Sequence, residues 1–184
     1  MALTISRLCQ LKVHQEFKKP KSQLEYYAEN GSPECILRYA GLGGKSFGEE
    51  YMEKLAREYF RLSKRSDSGH DHVKMGQSIE QKSARYHSNG TDWKWQHIEL
   101  GHSWDHLLLT GLDFHEIRFF ITPRVTVQNL REIGVLTGQG KNGNPQQAYW
   151  FTRTDFQKKG VRFEDYFTEL VTEEDLMTYL ARFI

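Results

Sequence analysis

Apolar residues recur at helical spacing through Phe47, Tyr51, Met52, Leu55, Ala56, Tyr59, Phe60 and Leu62, which predicts an amphipathic helix running to about Lys64. Ser46-Phe-Gly-Glu49 reads as the capping box that starts it, with Glu49 as the N3 residue. Glu53 flanks the apolar stripe, where a carboxylate could lean toward the edge of a sheet. Arg65-Ser-Asp-Ser-Gly69 then predicts a turn, His70–Met75 a strand and Gln77–Arg85 a second strand, bounded by Ser88-Asn-Gly90. Joined through Gly76, the two strands form a hairpin that brings Asp71 toward Glu80.

Asp92–Leu100 fits either a short helix or a further strand. Leu107–Leu112 and Ile117–Thr122 are continuous apolar runs and predict buried central strands, the second ended by Pro123. Val125–Ile133 has helical spacing, with Thr126 or a neighbour as its cap. Residues 138–144 predict a glycine-rich loop, Ala148–Thr152 a strand, and 163–170 and 173–183 two short closing helices, the last capped by Thr172. Leu8–Phe17 fits a strand or a short helix, and Lys18-Lys-Pro-Lys21 a basic surface loop.

The 184 residues suit a single domain over 1–184, with 1–40 as an N-terminal extension, a core over about 46–151 and C-terminal helices over 163–183. Lysine and arginine number 25 against 24 aspartate and glutamate, so no overall field favours wholesale coating of nucleic acid. No apolar run reaches the ~20 residues of a membrane span, and the N-terminus lacks a secretory segment, so a cytoplasmic protein is expected. Cys9 and Cys35 are expected to be reduced, buried thiols rather than a single disulfide. Gly44-Lys-Ser46 ends like a phosphate-binding loop, but Tyr39 stands where that pattern requires glycine.

Side chains two apart on a strand share a face, so Glu80 and Lys82 project together. A carboxylate and an ammonium side by side, with Asp71 on the neighbouring strand, suit a divalent cation and an anionic oxygen, the chemistry of phosphodiester cleavage. Arg85, Lys94 and Gln96 follow the same strand and could contact phosphates or bases, and Trp93 and Trp95 could stack on bases. The plainer expectation for the tryptophans places one in the core and one on the surface. A competing zinc site would use His102 and His106 as a helical pair, or His70 and His72 on the strand face opposite Asp71, but no third and fourth ligand stands at a recognised spacing.

Helix, strand, Asp-x8-Glu-x-Lys and further strands resemble the PD-(D/E)XK nuclease superfamily over about residues 46–151. The stretches Ser66–Asp71, Ile79–Arg85, Trp93–His97 and Leu107–Asp113 resemble in particular the small type II restriction-endonuclease-like proteins of bacteria and phage. His70 stands where the pattern's nominal proline would be. Asp67 is an alternative to Asp71, although twelve residues would then precede Glu80. The resemblance implies an α/β, restriction-endonuclease-like fold, a central mixed β-sheet flanked by helices. It implies a Mg²⁺-dependent endodeoxyribonuclease, with Mn²⁺ as a substitute metal. Asp71, Glu80, Lys82 and Glu53 would be catalytic. Asp71, Glu80, the Gln81 backbone carbonyl and Glu53 would hold metal, and Arg85, Lys94 and Gln96 would bind DNA. The implied partner is double-stranded DNA cut by a homodimer, with no membrane. A structure-selective junction or repair nuclease, or a non-catalytic nucleic-acid-binding protein on the same fold, are the alternatives.

Overall fold

The computed structural model describes residues 22–64, 69–90, 92–139 and 148–184. The expectations for Leu8–Phe17, Lys18–Lys21, Cys9, Asp67 and most of the 138–144 loop lie outside the described residues. Cys35, expected to be buried, is exposed.

Among the described residues two helices come first, α1 (Gln23–Glu29) and α2 (Glu34–Ala40), neither of which the apolar pattern announces. A π-helical stretch, Ser46–Met52, then runs straight into α3 (Glu53–Phe60). Its entry corrects the capping-box expectation. Lys45 already has helical dihedrals and no side chain caps the start, so Ser46 lies inside the helix and Glu49 is no N3 cap residue. The helix also ends earlier than predicted, because Arg61 takes a left-handed conformation (φ 49°) that turns the chain into strand β1 (Ser63–Lys64).

Strands β2 (His72–Lys74) and β3 (Gln77–Arg85) form the expected hairpin. Its two-residue turn places Met75 (φ 51°) and Gly76 (φ 76°) both at positive φ, the combination whose twist matches flanking strands. Strand β4 (Lys94–Glu99) resolves the ambiguity over 92–100. Strands β5 (His106–Leu112) and β6 (Ile117–Pro123) are the two buried strands, β5 covered at every position. Helix α4 (Arg124–Glu132) follows, with Pro123 rather than Thr126 at its N-cap.

Strands β7 (Thr137–Gln139) and β8 (Ala148–Thr152) lead to α5 (Arg153–Lys158), which begins with a Thr152–Asp155 capping box. The helix expected over 163–170 is absent. A 3-10 turn at Phe163–Asp165 precedes a strand, β9 (Thr168–Leu170), which pairs with the outer edge of β6. Phe163 and Phe167 lie four apart, as in a helix, yet they stack in the core with ring centres 4.6 Å apart. Thr172 does cap the last helix, α6 (Glu173–Leu180), accepting from the Asp175 N–H.

The main sheet runs β1-β2-β3-β5-β6-β9, with β3 and β5 parallel and the other pairs antiparallel. The fold is therefore α/β with a mixed six-stranded sheet flanked by helices. A second sheet, β4-β8-β7, packs on one face over Leu107, Leu109 and Phe120. On the opposite face α3 and α6 bury Ile79, Leu108, Phe119 and Ile121. No helix among the described residues is long and apolar enough to cross a membrane.

Trp93 and Trp95 are both fully buried, which corrects the expectation of one on the surface. Their indole N–H groups donate to the carbonyls of Leu112 and Thr110 at 2.9 and 3.0 Å. Trp93 lies so close to β5 that a Cβ on Gly111 would sit 2.7 Å from its ring.

Candidate functional site

The hairpin register creates the site. The Asp71 N–H donates to the Ile79 carbonyl at 3.0 Å, and the Asp71 carboxylate accepts from the Gln81 N–H at 2.8 Å. Pairing between β2 and β3 covers only Gln77 to Ile79, whereas β5 continues along the other edge of β3 to Arg85. From Glu80 onward, β3 thus faces a cleft of ≈ 950 Å³. The helical segment carrying Glu49, Glu53 and Arg57 forms one wall, and β4 with the turn after it forms the other.

All four side chains singled out by the pattern, Glu53, Asp71, Glu80 and Lys82, line this cleft. Three separate elements supply them. Lys82 Nζ stands 2.5 Å from Glu80 Oε1, and both are largely buried. Burial raises the Glu80 pKa, the Lys82 ammonium pulls it back, and the Asp71 charge raises it again. Burial and then the Asp71 charge push Glu53 from its ordinary 4.5 up to about 7, against the Arg57 guanidinium 3.5 Å away. Asp71 therefore acts on both other carboxylates, and like charges at one site disfavour ionisation.

Among the described residues, no three His, Cys, Asp or Glu side chains stand together as a complete metal cage. The donors present are nonetheless hard oxygens of the kind Mg²⁺ takes, and Mg²⁺ commonly uses one or two carboxylates and fills its shell with water. The N–H and C=O of one strand residue leave by the same edge, so the Gln81 carbonyl leaves β3 on the Asp71 side. The Gln81 side chain is buried instead in a network, its Oε1 accepting from His72 Nε2 at 2.6 Å and its Nε2 donating to Thr110 Oγ1 at 2.8 Å.

The three residues expected to bind nucleic acid also line the cleft, but with different freedom. Arg85 Nη1 donates to the carbonyls of Tyr39, Ala40 and Leu42, closing the C-terminal end of α2, so its guanidinium has a structural task. Lys94 Nζ lies 3.9 Å from the centre of the Trp150 ring, and the Gln96 side chain accepts from Gln139 at 3.1 Å.

The histidine pairs do not form the alternative zinc site. His106 opens β5 instead of sitting on a helix, is buried, and bonds Gln77 Oε1. His102 is half exposed and bonds Glu99 across the cleft wall. His72 is fully buried against Gln81. Sequence reasoning passed over Arg57, although it stands four residues from Glu53 at ordinary ion-pair spacing on a helix. It also passed over Glu99 with His102, and the His72–Gln81–Thr110 network, which becomes visible only once the strand register is known.

The chain matches no protein-family model and no curated protein.

Proposed function

We propose that this cleft hydrolyses phosphodiester bonds of DNA with the help of a divalent cation, in the manner of the PD-(D/E)XK nucleases that the sequence resembles. The observation that carries this reading is the convergence of Glu53, Asp71, Glu80 and Lys82 on one cleft, with the Asp71 charge felt by both glutamates. Asp71, Glu80 and the Gln81 carbonyl are the groups that would hold Mg²⁺, with Glu53 beside them. When bound, the ion supplies Lewis-acid polarisation of the phosphoryl oxygen and a more acidic water.

The chain's own residues divide the remaining work. Lys82, tied to Glu80, stabilises charge that develops on the phosphoryl group. Glu53 titrates near neutrality and is suited to orient the attacking water and take its proton. Lys94 and Gln96 on the opposite wall offer contacts to phosphates or bases beyond the scissile one. Arg57 keeps the Glu53 carboxylate on the helix wall. A type II restriction-like, sequence-specific enzyme acting as a homodimer is the subtype proposed, on resemblance alone.

The test is Mg²⁺-dependent cleavage of supercoiled and of branched DNA by the wild type, Lys82→Ala and Asp71→Ala. Each variant is expected to lose about 10²-fold or more in rate. Equal cutting by all three overturns the site, and tight DNA binding by a wild type that never cuts replaces the enzyme with a binding module. Preference for branched over supercoiled DNA would identify a structure-selective nuclease.

A further inference from the structure

We propose that His102 is the general acid of this cleft, the group that protonates the leaving sugar oxygen as the phosphodiester bond breaks. The assignment rests on the nuclease reading above. Lys82 and Glu53 are assigned to the phosphoryl group and the incoming water, and that assignment leaves the departing oxygen without a proton donor. His102 lines the wall across from them, in the turn after β4. Its charge reaches Glu80 through the cleft.

The turn is fixed against the active strand. Asp105 accepts from both the N–H and the hydroxyl of Ser78 at 2.8 Å, and its own N–H donates to the Ser78 carbonyl at 3.0 Å. Gly69, two residues before Asp71, packs so close that a Cβ there would lie 4.0 Å from His102 Cβ and 3.5 Å from the Ser103 nitrogen. His102 Nε2 lies 2.6 Å from Glu99 Oε2. A carboxylate on one ring nitrogen orients the ring, and in the acid form, where both nitrogens carry a proton, Nδ1–H is the donor not engaged by Glu99. The side chain is 49% exposed, so solvent can return the proton after each turnover. The other histidines of the cleft suit this role less. Burial beside Arg85 and Lys94 lowers the His87 pKa and disfavours its cation, and His97 sits at a bulge in β4 with no carboxylate pairing it among the described residues.

In the step itself, the water oxygen bonds to phosphorus and the phosphorus–sugar oxygen bond breaks. The departing oxygen keeps the electron pair and takes the Nδ1 proton of His102. The proton from the attacking water passes to Glu53 and on to solvent, and solvent reprotonates His102.

A thiolate leaves without a proton, so the test compares an oligonucleotide containing the mapped scissile linkage with one in which the leaving oxygen is replaced by sulfur. His102→Gln is expected to slow the all-oxygen linkage by about 10²-fold or more, the scale of general acid catalysis, and to leave the sulfur linkage within about threefold. Glu99→Gln should follow the same pattern with a smaller loss. Equal losses on both linkages, or none on either, overturn the assignment while the nuclease reading stands. Failure of the wild type to cut either linkage removes both. A readout free of turnover is the imidazole resonance of His102 in EDTA. It should shift when an uncleavable oligonucleotide is added, and an unmoved resonance also overturns the assignment.

Discussion

Replacing Glu53 by Gln should make the metal-free protein more stable, and the gain should depend on pH in a particular way. The Glu53 side chain is 20% exposed, and burial with the nearby Asp71 charge raises its pKa from 4.5 to about 7. Between these values the unfolded chain has released the proton and the folded chain has kept it, so folding becomes progressively less favourable as pH rises. Above about 7 the folded carboxylate is ionised as well, and the cost is constant. At about 1.4 kcal/mol per pH unit, the full cost approaches about 3 kcal/mol, of which roughly 2 kcal/mol should survive local relaxation. Glutamine has nearly the same shape and no charge to lose. The variant should therefore match the wild type at about pH 4 and exceed it by roughly 2 kcal/mol at about pH 8, or about 4–8 °C in Tm for a chain of this size. Urea unfolding in EDTA at several pH values measures this directly. A variant that is no more stable at the alkaline end, or a gain independent of pH, would refute the claim that burial, with the Asp71 charge beside it, holds the Glu53 carboxyl protonated to about pH 7.

Two further outcomes follow from the packing. Gly111→Ala would force a methyl group into the Trp93 ring at 2.7 Å, and overpacking of this kind should lower unfolding free energy by about 1–3 kcal/mol in the same urea assay; unchanged stability would mean that the indole does not rest on β5. Burial lowers the His106 pKa from 6.5 to about 4, so the unfolded chain gains a proton first as pH falls. Its contribution is intact above about 6.5 and is lost progressively down to about 4, at up to about 1.4 kcal/mol per pH unit. His106→Phe should flatten that part of the stability–pH curve, and an unchanged slope would show that the ring is protonated in the fold.

The apolar runs made the central strands legible, because β5 and β6 are buried on both faces and carry almost no polar interruption. The hairpin was legible through Gly76 and the strand pattern around it. Spacing failed where tertiary contacts override local preference. Phe163, Phe167 and Leu170 have helical intervals, yet the outer edge of β6 takes Thr168–Leu170 as a strand. The pattern over 92–100 fits helix and strand alike, and only the strand settles the two tryptophans: two residues apart on a strand, Trp93 and Trp95 share a face and both enter the core. That Asp71, Glu80 and Lys82 reach one cleft follows from strand alternation and hairpin closure, which are short-range rules. The opposite wall, with Glu99 and His102, depends on how the second sheet packs over the first, and no periodicity along the chain encodes that.

The tight turn at Met75 and Gly76 has a consequence beyond joining two strands. Alternation makes the choice of which side chains enter the cleft a matter of odd and even positions. One residue inserted at that turn would invite the chain to re-pair out of step and hand the places of Glu80 and Lys82 to their neighbours. Chemistry would then vanish with composition, charge and nearly all of the sequence intact: what is inherited here is a parity, and two residues keep the count.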